Sequence, residues 1–130
     1  MIVDSSALIA MLFNEPEART FMRKLMTSRP VRISAVTAVE TAIVTIRKVG
    51  LDSEPDVASL FDILNIEVVD FSSTQVKLAQ EAFRTYGKGR HRAALNFGDC
   101  FSYALAKAYR EPLLYKGNDF VHTDIVSALA

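Results

Sequence analysis

The sequence has 130 residues, of which 50% are hydrophobic and 23% are charged, a composition typical of a folded globular protein and not of a disordered chain. Fifteen basic residues balance fifteen acidic residues, so the net charge gives no indication of a nucleic-acid or membrane partner. The single cysteine, Cys100, excludes an internal disulfide and a zinc site built from several thiolates, and it is consistent with a reducing cytoplasm.

The first half of the chain predicts two strands and three helices. In order, these are a strand at Ile2–Val3, a helix capped by Ser5 and Ser6 that runs to about Phe13, a helix opened by Glu15-Pro16-Glu17 with an apolar face of Ala18, Phe21, Met22, Leu25 and Met26, a strand at Val31–Ile33, and a helix capped by Ser34 that ends at Gly50. The N-terminal run has no basic segment and contains Asp4, so we do not read it as a signal peptide.

The second half predicts a similar alternation. In order, it gives a helix opened by Ser53-Glu54-Pro55, a strand at Ile66–Val69, a helix over 73–85, a basic loop, a helix from Phe97 to about Ala108 with an inward face of Phe97, Phe101, Ala104, Leu105 and Ala108, a strand at Leu113–Tyr115, and a last short strand at Phe120–His122. No stretch approaches the ~20 apolar residues of a membrane span.

Short apolar strands that alternate with helices indicate a parallel sheet that is covered on both faces. We therefore expect an α/β fold, a three-layer α/β/α sandwich with a central parallel sheet, formed by one domain spanning residues 1–130.

Four acidic residues fall where the working crevice of such a sheet lies, beyond the carboxyl ends of the strands. They are Asp4, Glu40, Asp99 and Asp119. Each acid has a structural explanation: Asp4 can cap the next helix, Asp99 can form a capping pair with Asn96, and Asp119 can hold a turn after Gly117. Glu40 is harder to explain, since its neighbours one helical turn away, Val36, Ile43 and Val44, form a largely apolar stripe.

Together the four acids suggest a carboxylate cluster. Two like charges ~4 Å apart repel by about 4 kcal/mol at an effective dielectric constant of 20, so such a cluster takes up protons or holds a cation. Oxygen ligands without histidine or cysteine select Mg²⁺ or Mn²⁺ rather than zinc. Such an ion can activate water and neutralise charge during phosphodiester cleavage.

Four ordered segments carry a resemblance over essentially the whole chain: "MIVDSSALIA", "ISAVTAVE", "NFGDCFSYALAK" and "LLYKGNDFVHTDI". They resemble PIN-domain ribonucleases, and most closely the VapC-type toxins of type II toxin–antitoxin pairs. The resemblance implies a PIN-like fold, Mg²⁺-dependent cleavage of RNA, a VapB-type antitoxin that covers the site, and a homodimer. The ligand chemistry also allows Mn²⁺. From the cysteine usage and the absence of a long apolar stretch, we expect a cytoplasmic protein with no membrane partner.

The resemblance also implies roles for individual residues. The family's acidic quartet corresponds to Asp4, Glu40, Asp99 and Asp119. Asp4, Asp99 and Asp119 would hold one or two ions, while Glu40 would ligate a second ion or orient the attacking water. Ser6 matches a small polar residue that orients the site. Asn118 stands where some relatives have an acid, and Asp124 is a secondary candidate that could instead cap a last helix.

A basic loop, "YGKGRHRAALN", precedes Asp99 and contains Lys88, Arg90, His91 and Arg92. It can be a solvated surface loop, or Lys88, Arg90 and Arg92 can contact RNA phosphates. We do not expect His91 to be a metal ligand or a general base.

Two other functions remain open. A phospho-accepting receiver domain is also a parallel α/β sheet with acids at strand ends, but it needs a pair of acids after the first strand, where this chain has only Asp4, and one helix before the second strand instead of two. The other alternative is a catalytically silent PIN-like module that only binds RNA or a partner.

Overall fold

The computed structural model describes residues 1–130 and contains one sheet of four parallel strands in the order β3-β2-β1-β4. The strands are β1 (Ile2–Val3), β2 (Val31–Ser34), β3 (Ile66–Val69) and β4 (Leu113–Leu114). The chain crosses from one strand to the next through helices, as parallel pairing requires. All four strands therefore end at the same edge of the sheet.

Six helices cover the two faces of this sheet. They are α1 (Ser5–Leu12), α2 (Ala18–Met26), α3 (Ala35–Val49), α4 (Glu54–Leu64), α5 (Ser73–Tyr86) and α6 (Phe97–Tyr109). Neighbouring strand residues belong to different hydrophobic clusters: Val3 packs with Leu8 and Phe21, whereas Ile2 packs with Leu105 and Phe120. Because successive strand residues point to opposite faces, both faces of the sheet are buried at β1. The predicted three-layer α/β/α sandwich is confirmed.

The C-terminal segment differs from the prediction. Residues 120–122 form a turn rather than a strand, and Thr123 donates its hydroxyl to the carbonyl of Phe120 at 2.7 Å. The position beside β4 is taken instead by residues 126–128, through an isolated bridge between Leu113 and Ser127. Phe120 is 2% exposed. Phe120 therefore packs in the core from a turn. A short apolar segment of sequence does not distinguish a buried turn residue from a strand residue.

Two helix starts also differ in their caps. Asp4, and not Ser5 or Ser6, caps α1, because its carboxylate accepts the backbone N–H of Ser6. Ser34 occupies the cap position of α3 but its side chain makes no capping hydrogen bond. The start of α4 and the end of α3 at Gly50, where φ is 94°, agree with the predictions.

The predicted inward face of α6 is partly wrong, and α3 buries a face that its apolar spacing does not indicate. The stripe of α3 that faces the interior consists of Thr37, Thr41 and Thr45, whereas Ile43 is 43% exposed. In α6, Phe101 is buried as expected but Phe97, at the first position, is 77% exposed, and Ala108 is also exposed.

The apolar face predicted for α2 is only partly buried. Ala18, Phe21 and Leu25 are in the core, while Met26 is 61% exposed. No helix of the protein is both long enough and apolar enough to cross a membrane.

Candidate active site

The fold brings the four predicted acids together at the edge where the strands end. Asp4 follows β1, Asp99 lies in the first turn of α6, Glu40 lies in the second turn of α3, and Asp119 lies in the turn after β4. The Asp99 carboxyl group is close enough to feel the charges of Asp4 and Asp119 and it shares a hydrogen bond with Asp119, while Glu40 feels the charge of Asp4. Residues up to 115 positions apart in sequence thus form one acidic cluster.

Asp4 is held by three hydrogen bonds and is only 3% exposed. Its Oδ2 atom accepts the backbone N–H of Ser6 at 3.0 Å and the Ser6 hydroxyl at 2.6 Å. Its Oδ1 atom accepts the hydroxyl of Ser102, from the second turn of α6. The carboxylate is thereby fixed in one orientation by both neighbouring helices.

Ser6 connects the ends of β1 and β4. Its hydroxyl donates to Asp4 and accepts the backbone N–H of Lys116 at 2.9 Å. The Lys116 ammonium group pairs with Glu15 and, at 3.2 Å, with Glu17. These contacts tie the turn before α2 to the segment that leads to Asp119. The contacts made by Ser6 are compatible with the orienting role expected for it.

Asp99 caps its own helix and also faces the cluster. Its backbone N–H donates to Asn96 Oδ1 at 2.8 Å, and its Oδ2 accepts the Asn96 N–H at 3.0 Å, which completes the predicted capping pair. Burial raises the pKa of Asp99 to about 8, with further contributions from Asp4 and Asp119 that outweigh the Asn96 hydrogen bond. The cap thus explains why an acid is tolerated at this position. The raised pKa indicates that the surroundings disfavour the ionised form of the carboxyl group.

Glu40 lies against the first turn of α6. Its Oε1 atom accepts the Ser5 hydroxyl at 2.8 Å, and a Cβ atom at Gly98 would stand 1.9 Å from its Oε2 atom. Only glycine at position 98 therefore leaves room for this carboxylate. Burial raises the pKa of Glu40; the Ser5 hydrogen bond opposes this shift and the Asp4 charge adds to it.

No basic side chain of the protein neutralises the cluster. All six ion pairs lie elsewhere, and none includes Asp4, Glu40, Asp99 or Asp119. Buried like charges without a partner favour proton uptake or cation binding. The argument applies most strongly to Asp4 and Asp99, which are buried, less to the half-buried Glu40, and least to Asp119, which is exposed.

The oxygen atoms of the four acids are ligands that suit a hard divalent cation, but the carboxylate groups do not surround a single point. No three acidic, histidine or cysteine side chains stand close enough together to hold one ion as they are placed. Some of their oxygens are bonded to Ser5, Ser6 and Asn96, which leaves the remaining carboxylate oxygens to act as ligands. The chemistry of the set fits Mg²⁺ or Mn²⁺, and binding of one ion by three carboxylates would require their side chains to turn toward it.

The basic loop lies at the surface between α5 and α6. Lys88, Arg90 and Arg92 are exposed, and the Arg90 Nε donates to the carbonyl of Arg84 at 3.2 Å. His91 accepts the backbone N–H of Ala93 through Nδ1, so that nitrogen is occupied within the loop. The loop leads directly into α6, but no contact joins its cations to the four acids.

Asp124 is engaged away from the cluster. It accepts the Tyr103 hydroxyl at 2.8 Å and pairs with the Lys107 ammonium group at 2.7 Å. Its partial burial acts to raise its pKa, but these two partners outweigh burial and hold the pKa below its usual value. Through these contacts Asp124 attaches the C-terminal segment to α6. Asn118 contributes its carbonyl to a turn, accepting the N–H of Val121.

Four contributors to the site were missed by sequence reasoning: Ser5, Thr37, Gly98 and Ser102. Ser102 lies three residues after Asp99, on the same side of α6, so helical spacing could have indicated it. Gly98 lies in the first turn of α6, and a glycine, which has no Cβ, can indicate that another group approaches the backbone closely. Ser5 and Thr37 gave no signal, because they act through contacts between helices.

Comparison with known proteins agrees with this architecture. The PIN domain model matches residues 1–126. Ribonuclease VapC30 of Mycobacterium tuberculosis is 42% identical over 127 residues, 98% of this chain and 97% of the relative. Ribonuclease VapC28 of the same organism is 44% identical over 137 residues, covering 99% and 98%. Ribonuclease VapC of Mycolicibacterium smegmatis is 41% identical over 128 residues, covering 98% of each.

Two solved structures share the fold. M. tuberculosis VapC20, described as a toxin that cleaves the sarcin–ricin loop, has a TM-score of 0.76 at 18% identity and covers 96% of this chain and 95% of its own. A toxin–antitoxin complex from Klebsiella pneumoniae has a TM-score of 0.74 at 18% identity, covering 98% and 96%. The fold and the acidic edge define a PIN-domain protein. Within that class, the chain belongs to the VapC ribonucleases.

Proposed function

We propose that this chain is a Mg²⁺-dependent endoribonuclease that acts in the cytoplasm as the toxin of a type II toxin–antitoxin pair, with Mn²⁺ able to replace Mg²⁺. The observation that carries the proposal is the convergence of Asp4, Glu40, Asp99 and Asp119 with no basic partner. The proposal treats residues 1–130 as one functional domain.

The residues take different parts in the proposed hydrolysis. Asp4, Asp99 and Asp119 hold the ion or ions, which supply water activation and charge neutralisation when bound. Glu40 either ligates a second ion or orients the attacking water. Its raised pKa supports the second role, because a carboxylate that binds protons more readily is a better acceptor from water. Water attacks phosphorus in line and the ribose 3′ oxygen leaves.

RNA binding is assigned to the exposed cations of the loop before α6. Lys88, Arg90 and Arg92 contact phosphates, and their mobility as long side chains lets them follow different backbone paths. Cations near an acidic site reduce its repulsion of a polyanion and add to the neutralisation that bound ions supply, and this loop leads to Asp99. Replacing the three cations with glutamine should weaken RNA binding and reduce its salt dependence.

The proposed partners are a VapB-type antitoxin and a second copy of the chain. Support comes from a contiguous apolar surface, of a kind that marks interaction sites in proteins. The exposed Phe83 of α5 and Phe97 of α6 line one apolar groove there. Sedimentation of the purified chain, with and without its antitoxin, tests both assemblies.

The central experiment measures cleavage of structured RNA by the chain freed of any partner. We expect cleavage with Mg²⁺ and none with EDTA. Asp4→Asn should abolish cleavage while circular dichroism shows the fold intact. Asp56→Asn is a matched control, since Asp56 is an exposed acid in the first turn of α4. If the wild-type chain cuts no RNA with any divalent ion, the silent binding module becomes the better description.

The RNA target is best found in cells. Brief induction of the chain, followed by sequencing of new RNA 5′ ends, would give the substrate and the cut site together. The Asp4→Asn variant provides the background. New ends that appear equally in that variant would argue against cleavage by this chain.

A further inference from the structure

We propose that Ser102 and Thr37 form a buried hydroxyl relay that positions Asp4 for divalent-ion binding, with Ser102 holding the oxygen that faces the ion. This inference rests on the proposed ion-dependent function. Neither residue belongs to the predicted acidic quartet. Both are 1% exposed, so their hydroxyl groups are wholly within the interface between α3 and α6.

The two oxygens of Asp4 are not equivalent. A carboxylate oxygen has about two lone-pair directions. Oδ2 uses both of them, for the Ser6 N–H and the Ser6 hydroxyl. Oδ1 accepts only the Ser102 hydroxyl, which leaves one direction open. The atom of Asp4 available to an ion is therefore Oδ1, and Ser102 fixes where it lies.

The direction of the hydrogen bonds in the relay follows from the number of protons that each hydroxyl group can donate. Ser102 has a single hydroxyl proton, which it donates to Asp4, because an ionised carboxylate can only accept. In the 3.3 Å contact between the Thr37 and Ser102 hydroxyl groups, Thr37 must then be the donor. The chain of hydrogen bonds runs from Thr37 through Ser102 to Asp4.

Three separate elements meet in this relay. Thr37 belongs to α3, Ser102 to α6, and Asp4 stands at the junction of β1 and α1. Buried hydroxyl groups without partners are unfavourable, so the arrangement constrains both helices against the end of β1. Outer-shell groups of this kind orient metal ligands, and their loss lowers metal affinity by about 10–100-fold.

The other threonines of α3 provide a matched control. Thr45 is 2% exposed, and its hydroxyl donates to the carbonyl of Thr41 at 2.7 Å, within the same helix. Thr45→Val and Thr37→Val therefore make the same chemical change on the same buried face, but only Thr37 is joined to Asp4. A general effect of core polarity would affect both variants equally.

The test is a titration of the partner-free full-length chain with Mn²⁺ in the absence of RNA. Electron paramagnetic resonance measures how much Mn²⁺ is bound. We expect Ser102→Ala to raise the Mn²⁺ dissociation constant about tenfold and Thr37→Val to raise it about threefold. Thr37→Ser, which keeps the hydroxyl, should restore wild-type affinity, and Thr45→Val should leave it unchanged. In RNA cleavage, both relay variants should need more Mg²⁺, with KM for RNA unchanged.

Unchanged Mn²⁺ affinity in Ser102→Ala would overturn the relay, and so would equal losses in Thr37→Val and Thr45→Val. A wild-type chain that binds no Mn²⁺ would overturn it as well. Because ion binding is measured without RNA, a chain that binds Mn²⁺ through the relay but cuts no RNA would refute the proposed function alone. Thr37→Val keeps the test decisive if Ser102→Ala does not fold.

Discussion

The two ends of the central sheet treat acidic residues in opposite ways. At the end where the strands begin, Glu111 pairs with the Met1 amino group and with Arg32, and Arg32 also pairs with Glu67 at 3.3 Å. The Arg32 guanidinium stacks over the Tyr109 ring at 4.9 Å. At the end where the strands finish, Asp4, Glu40, Asp99 and Asp119 have no cation.

Acids at the first end stabilise the folded state, whereas acids at the second end do not gain an ion pair from folding. Each acid at the first end gains a charge-assisted hydrogen bond or ion pair, which favours the folded state. At the second end, Asp4, Glu40 and Asp99 are held by neutral donors such as Ser6, Ser5 and the Asn96 N–H, which orient a carboxylate without cancelling its charge. Removing an acid should therefore reduce stability at one end and activity at the other.

The largest expected effect is at the unpaired end. Asp99→Asn should lower RNA cleavage more than a hundredfold, because it removes an ion ligand from the cluster. The variant should keep its fold, since asparagine can still accept the Asn96 N–H. Cleavage is measured with structured RNA and Mg²⁺. Cleavage within threefold of wild type would show that Asp99 is only a helix cap.

Gly98→Ala should separate activity from stability on the same helix. The added Cβ would meet the Glu40 Oε2 atom, the far end of a flexible side chain, so Glu40 should swing away at little energetic cost. We expect cleavage to fall about tenfold or more with no loss of thermal stability, since alanine is the better helix former.

A double-mutant comparison identifies the cause of the Gly98 effect. If Gly98→Ala acts by displacing the carboxylate, it should have no further effect on cleavage in the background of Glu40→Ala. Additive losses in the double variant would mean that the new methyl group disturbs the site by another route.

Much of this arrangement could be predicted from the sequence. Strand and helix order followed from apolar runs and from caps such as Asn96 and Gly50, because those signals are local. The four acids could be placed at one edge because parallel strands all end there. The sequence pattern did not show that α3 faces inward with threonines, since its valines and isoleucines also fit a helical stripe.

The parts that could not be predicted depend on contacts between distant segments. Phe97 fits the apolar period of α6, but it is the first residue of that helix. No neighbouring element covers its side chain there, and it is exposed. Phe120 resembles a strand residue, yet residues 126–128 take the place beside β4. Helical spacing can place Ser102 on the Asp99 side of α6, but it cannot show that the Ser102 hydroxyl bonds to Asp4, which is 98 positions away in sequence.

The pH dependence of stability should report on the unpaired end. The pKa of Asp99 is raised from 3.8 to about 8, so the folded state binds this proton more tightly than the unfolded state. Below about pH 4 the group is protonated in both states and folding bears no penalty. Between about pH 4 and 8 the penalty grows, and above about pH 8 it is constant.

Thermal unfolding of the chain in EDTA tests this dependence. The melting temperature should fall as pH rises from 4 to 8, and the fall should be smaller in Asp99→Asn. Mg²⁺ should raise the melting temperature at pH 8 more than at pH 5, because protons compete with the ion for the carboxylates. Identical pH profiles for wild type and Asp99→Asn would contradict the assignment of the raised pKa.

The smallest expected effects are at the paired end of the sheet. Glu111→Gln should lower the free energy of unfolding by about 2 kcal/mol, because it weakens hydrogen bonds from two charged groups in a partly buried place. Glu67→Gln should lower it by about 0.5 kcal/mol, since Glu67 is 57% exposed and its ion pair is screened by solvent. Urea unfolding gives both values. Neither variant should change the rate of RNA cleavage or its Mg²⁺ requirement. A loss of cleavage in Glu111→Gln without loss of stability would show that the two ends of the sheet are coupled, and the division between stabilising and functional acids would then fail.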